Sequence, residues 1–63
     1  MKLKTLMNVT KETDVTITTK SGATIASDYI DKRYYGEFNL WDDCKVVEIR
    51  NSQYSDTLYI AIE

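Results

Sequence analysis

Sixty-three residues with one cysteine, two glycines, no proline and no histidine exclude more than they suggest. A chain of this length makes a single domain, residues 1–63, that buries only about 60% of its unfolded surface, and a lone Cys44 cannot staple it with an intrachain disulfide. Eight basic and ten acidic residues, interspersed, give a net charge of −2, which is neither the basic footprint of a nucleic-acid binder nor the negative field of a DNA mimic.

In chain order, Leu3, Leu6 and Met7 fall at i, i+3 and i+4 and predict a short amphipathic N-terminal helix. Two turns do not stand alone in water, so this helix has to dock on an apolar surface. Val15 and Ile17 alternate with Thr16 and Thr18, a β-branched run that predicts a half-buried strand. Lys20-Ser21-Gly22 reads as a hairpin turn, and Ala23 to Ser27 as the returning strand, with Ile17 facing Ile25 and Thr19 facing Ala23. Residues 28–43 are ambiguous. Ser27 or Asp28 could cap a short helix ending at Gly36, or Tyr34 to Leu40 could form an irregular strand, the reading favoured by the aromatics and by Gly36. Cys44 to Arg50 and Thr57 to Ile62 predict a second hairpin around a polar loop, with Ile49 facing Leu58 and Val47 facing Ile60.

The expected fold is therefore α+β: a short N-terminal helix on an antiparallel sheet of four strands, or five, built from two hairpins. Its expected core comprises Leu3, Leu6, Met7, Val15, Ile17, Ile25, Phe38, Leu40, Val47, Ile49, Leu58, Ile60 and Ile62.

Little in the sequence points to catalysis. Ser21, Ser27, Ser52 and Ser55 have no histidine to activate them, and two glycines fourteen residues apart make no phosphate loop. Asp42 and Asp43 are adjacent, so in extended chain they point apart and read as a solvated turn; no metal and no cofactor are expected. Cys44 reads as a small half-buried residue, since Asp42 and Asp43 oppose any activation by Lys45, although an intermolecular disulfide stays open to it. No apolar run reaches the roughly 18 residues of a membrane span, and Lys4 and Thr5 break the only stretch resembling a leader. A cytoplasmic protein is expected, and Asn8-Val9-Thr10 is then a chance match to a glycosylation pattern.

The feature that rises above background is aromatic. Tyr29, Tyr34, Tyr35, Phe38 and Trp41 crowd thirteen residues, interleaved with Lys32 and Arg33. Phe38 and Leu40 read as core, whereas Tyr29, Lys32, Arg33, Tyr34, Tyr35 and Trp41 form a candidate partner-binding segment, rich in the residue types that dominate binding hot spots. The same segment could stack single-stranded nucleic acid, the alternative reading. On the C-terminal strands, Tyr59 points away from the expected core beside Val46 and Glu48, a candidate self-association face for a homodimer. Free sheet edges offer a second route, by strand addition.

Taken together, Leu-x-x-Leu-Met at Leu3–Met7, Asp-Val-Thr-Ile at Asp14–Ile17, the Gly22 turn, Leu40 to Ile49 and Leu58 to Ile62 form a pattern that spans most of the chain. The pattern resembles small uncharacterised proteins encoded by phages and prophages of Firmicutes. That resemblance implies a cytoplasmic accessory protein acting on a host or phage macromolecule, a size class that includes inhibitors of bacterial defence systems. It carries over no site residue. The expected function is a non-catalytic protein–protein interaction module with a protein partner, neither nucleic acid nor membrane.

Overall fold

A computed structural model describes residues 1–10, 12–31 and 36–63. Along the chain lie helix α1 (Leu3–Met7), strands β1 (Thr13–Thr19) and β2 (Thr24–Ile30), a 3-10 helix (Gly36–Trp41), and strands β3 (Val46–Asn51) and β4 (Leu58–Ile62). The strands form one sheet in the order β2-β1-β4-β3. Both hairpins are antiparallel, as expected, but the central strands β1 and β4 run parallel, so the sheet is mixed. Val15 aligns with Leu58 and Ile17 with Ile60. Alternation places the same residues on the core face whichever way a strand runs, so it is blind to this direction.

The parallel centre dictates the connection that follows. β2 ends beside the start of β1, because Ile30 faces Thr13, and β3 begins at the opposite end of the sheet, where Val46 faces Ile62. Residues 31–45 must therefore travel the sheet's length as well as its width. The 3-10 helix lies on this path, packs against β2 and α1, and buries Phe38 completely. Neither expectation for this segment holds in its described part: Ser27 to Ile30 continue β2, and Gly36 to Trp41 are helical rather than extended. No fifth strand occurs among the described residues. Tyr34 and Tyr35 lie outside them.

The first hairpin keeps its expected register only next to the turn. Thr19 N–H donates to Ala23 O at 2.8 Å, and Thr18 faces Thr24. Gly22 takes a φ of +100°, Gly22 N–H donates to Thr19 O at 3.0 Å, and Thr19 Oγ1 accepts Ala23 N–H at 3.1 Å. A bulge then shifts the pairing, so Ile17 faces Ala26 and not Ile25. In the second hairpin Ile49 faces Ile60 and not Leu58. That is a slip of two residues, which leaves Glu48, Ile49 and the side chains of β4 on their expected faces. β3 starts later than expected but ends one residue further on, at Asn51, and Ser52 N–H still donates to Thr57 O at 3.1 Å.

The core joins Leu3 and Met7 of α1 to Val15, Ile17, Ala26, Ile30, Phe38, Ile60 and Ile62, with Leu6, Ile25, Trp41, Cys44, Val46 and Leu58 partly buried around it. Three expected members are missing. Leu40 is 74% exposed, because one side of the 3-10 helix faces solvent. Ile49 stands on the core face opposite Ile60 yet is 45% exposed, because α1 starts beside Cys44, at the beginning of β3, and is too short to cover the strand's later part. Val47 sits in a second bulge between Val46 and Glu48 and does not join the cluster.

α1 has no side-chain cap. Its first N–H groups are instead satisfied by backbone: Leu3 N–H donates to Cys44 O at 2.9 Å and Lys4 N–H to Asp42 O at 3.0 Å. Met1 O accepts Val46 N–H at 2.8 Å, and Lys2 bridges to Lys45, so the N-terminal residues lie along the start of β3.

Phe38 is the largest fully buried side chain among the described residues. Phe38→Ala should cost about 3–5 kcal/mol and leave little folded protein, given a whole-domain stability of roughly 3–9 kcal/mol for a chain this size. Gly22→Ala meets no atom within 4 Å, so its expected cost of about 1 kcal/mol comes from backbone conformation alone. Urea denaturation followed by circular dichroism reads both, and an unchanged midpoint for Phe38→Ala would place the core elsewhere.

Candidate functional site

Alternation along four paired strands makes two sheet faces, and α1 and the 3-10 helix contribute to the core on only one of them. The other presents a grid set by register. One row crosses the sheet as Ser27, Thr16, Tyr59 and Arg50; the next as Thr24, Thr18, Ala61 and Glu48; and Tyr29 stands beside Asp14. No described element lies over this open face. Thr16 and Thr18 are nevertheless buried, being short side chains on a central strand flanked by neighbours on both sides. The Thr16 hydroxyl is 3.1 Å from that of Ser27, a hydrogen bond that satisfies both.

At the β3 side of the face Arg50 Nε meets Glu48 Oε1 at 3.3 Å, and at its margin Lys20 Nζ meets Glu63 Oε2 at 3.8 Å. All four side chains are more than half exposed, so the pairs add little stability; their effect is to leave these cations with local anionic partners. Beyond Arg50 lies a cleft of about 290 Å³ lined by Arg50, Asn51, Ser52, Gln53, Tyr54 and Tyr59. Its turn is held by Thr13 Oγ1 donating to Asp56 O at 2.8 Å, by Tyr54 N–H donating to Ser52 Oγ at 3.1 Å, and by Ser55 Oγ donating to Thr57 Oγ1 at 3.0 Å. The result is a braced turn presenting Tyr54, 93% exposed, to solvent.

The residues singled out from sequence divide between the faces. Tyr29, half exposed, stands on the open face, whereas Trp41 is partly buried against the core on the other side. The two ends of the aromatic segment therefore do not share a face. Lys32, Arg33, Tyr34 and Tyr35 lie outside the described residues. Glu48 and Tyr59 share the open face, but Val46 does not join them: it faces Ile62 and packs on the core, because the bulge after it resets the alternation. Sequence reasoning passed over Arg50 and Tyr54. Arg50 follows Glu48 by two in a strand, which places both on one face, and Tyr54 is the sole aromatic of a polar loop.

Asp42 and Asp43 contribute a backbone acceptor for α1 and an exposed 3.5 Å ion pair with Lys2. Cys44 is half-buried against the core. Among the described residues no three His, Cys, Asp or Glu side chains are grouped to hold a metal ion, and no helix is long and apolar enough to cross a membrane. No family model matches the chain, no curated protein matches it, and no solved structure matches it.

The division of the aromatics is measurable. Trp41→Ala should cost roughly 1–3 kcal/mol through lost packing, whereas Tyr29→Ala should stay within about 0.5 kcal/mol of the parent. Parallel urea titrations compare them, and equal midpoints would contradict this assignment.

Proposed function

We propose that this chain is a non-catalytic protein–protein interaction module whose open sheet face is the contact surface. The observation that carries the reading is the grouping of Tyr29, Tyr59, Arg50 and Tyr54 on or beside a sheet face that no described element covers. Tyrosine and arginine supply most of the binding energy at protein interfaces, because each offers large area together with a polar tip. A floor of short polar side chains, Asp14, Ser27 and Thr16, between two tyrosines suits a protein surface better than a deep ligand. The cations also favour protein over nucleic acid: Arg50 and Lys20 already face Glu48 and Glu63, whereas a phosphate backbone calls for unpaired ones. Assignment to the phage and prophage accessory proteins, acting on a host or phage macromolecule in the cytoplasm and including inhibitors of bacterial defence, rests on the sequence resemblance.

The test is affinity capture from bacterial lysate with the parent chain, Tyr29→Ala and Arg50→Ala side by side, after circular dichroism confirms that all three fold. The expected result is a protein retained by the parent and reduced at least tenfold by either substitution. A captured set identical for all three would remove the open face from consideration. Salt-sensitive retention of the parent on single-stranded DNA would replace the reading with the nucleic-acid one.

A further inference from the structure

A four-stranded open sheet has two edges, and this chain treats them differently. On β2 the bulge near the turn twists one end, and Tyr29 N–H, which by its register with Asp14 points outward, is taken by Asp28 Oδ1 at 2.8 Å. On β3 the first part is occupied by the N-terminal residues, with Met1 O on Val46 N–H and Leu3 N–H on Cys44 O. Among the described residues, none covers the rest of β3 in this way. Glu63 N–H donates to Lys45 O and Ser52 N–H to Thr57 O, which marks the pairs that exchange hydrogen bonds with β4. Arg50 and Tyr59 are then a bonded pair, and the N–H and C=O groups of Ile49 and Asn51 point away from the sheet. Ile49 adds an apolar side chain, 45% exposed, at the centre of this open stretch.

We propose that β3 pairs antiparallel with β3 of a second copy of this chain, about a two-fold axis at Ile49. The charge pattern selects both the occupant and the register. Centred on Ile49, the pairing sets Ile49 against its own copy in a hydrogen-bonded pair, and sets Glu48 against Arg50 twice, on the open face. Centred on Arg50, it would set two guanidinium groups directly opposite, which is unfavourable. Glu48 and Arg50 already meet within one chain at 3.3 Å, so exchanging partners across the axis fixes register more than it adds affinity. A two-fold at Ile49 sets Asn51 opposite Val47, so the bulge at Val47 and the N-terminal residues at Val46 confine the contact to Glu48–Arg50. An edge that short buries less than a standard interface, so the dimer is weak, with a dissociation constant on the order of 10⁻⁴ M. The open face around Tyr29 stays free in such a dimer, so failure of this proposal leaves the preceding one standing, and the reverse.

The experiment is sedimentation velocity over about 10 μM to 1 mM, spanning that constant on both sides, with hydrogen exchange read by NMR at the two extremes. The average mass should rise from one chain toward two, and the Ile49 amide should slow with concentration. Ile49→Pro, which removes an N–H that bonds to nothing within the sheet, should stay monomeric at every concentration while keeping the parent circular dichroism spectrum. Glu48→Arg should weaken association at least tenfold, and Glu48→Arg with Arg50→Glu should restore it. A monomer throughout the range overturns the proposal, as does a dimer indifferent to Ile49→Pro. So does one that the double reversal fails to restore. Should Ile49→Pro fail to fold, the concentration dependence of the parent's Ile49 amide decides alone.

Discussion

The rest of the molecule depends on the parallel pairing of β1 with β4. Val15 and Ile17 lie along Leu58 and Ile60 at the middle of the sheet, and each hairpin attaches its other strand to this pair. A parallel pair cannot be closed by a tight turn, so the chain between the hairpins has to traverse the sheet. Its described part packs on one face, and the material carried there, Phe38 and the carbonyls of Asp42 and Cys44, builds the core and seats α1. Among the described residues, no element lies over the opposite face. The choice of strand direction thus decides which face is buried and which is left for contact.

The molecule's thinness follows from the same cause. It measures 28 × 28 × 17 Å, the short axis being what one sheet and a partial helical layer occupy. A five-residue helix and a 3-10 turn cannot roof four strands, and Ile49 and Leu40 show where the roof ends. One consequence is that apolar side chains reach solvent on the core side of the sheet as well. They do so where β3 is least covered, while the β2 edge carries a bulge and the Asp28 cap.

Much of this was legible in the residues, and what was not has definite physical reasons. The hairpins were readable because Val15-Thr16-Ile17-Thr18 and Leu58-Tyr59-Ile60-Ala61 alternate, and alternation is a local property. The direction of β1 against β4 is non-local and leaves no mark on either strand. Asp28 looked like a helix cap and instead sits within β2, where its carboxylate accepts the next residue's N–H, so buried Ile30 went unread; Ala26 was missed because the bulge puts it, and not Ile25, opposite Ile17. On the candidate surface, Glu48 and Tyr59 were placed correctly relative to each other because both follow period two. Val46 was not, because a bulge changes the parity of a strand without any glycine or proline to announce it. Arg50 was equally accessible to the alternation argument, since it follows Glu48 by two and faces Tyr59 directly.

The order in which the strands are synthesised gives the central pairing a consequence of another kind. β1 is made well before β4, with some forty residues of chain between them. During that interval the first hairpin can close on its local turn, but β1 keeps one side open, a β-branched strand whose permanent neighbour does not yet exist. α1 waits as well, since the carbonyls that accept its first N–H groups belong to Asp42 and Cys44. Translation therefore presents an incomplete sheet with its future centre exposed, and the nascent chain depends on rapid completion, or on whatever holds that edge in the meantime, to avoid pairing with the wrong strand.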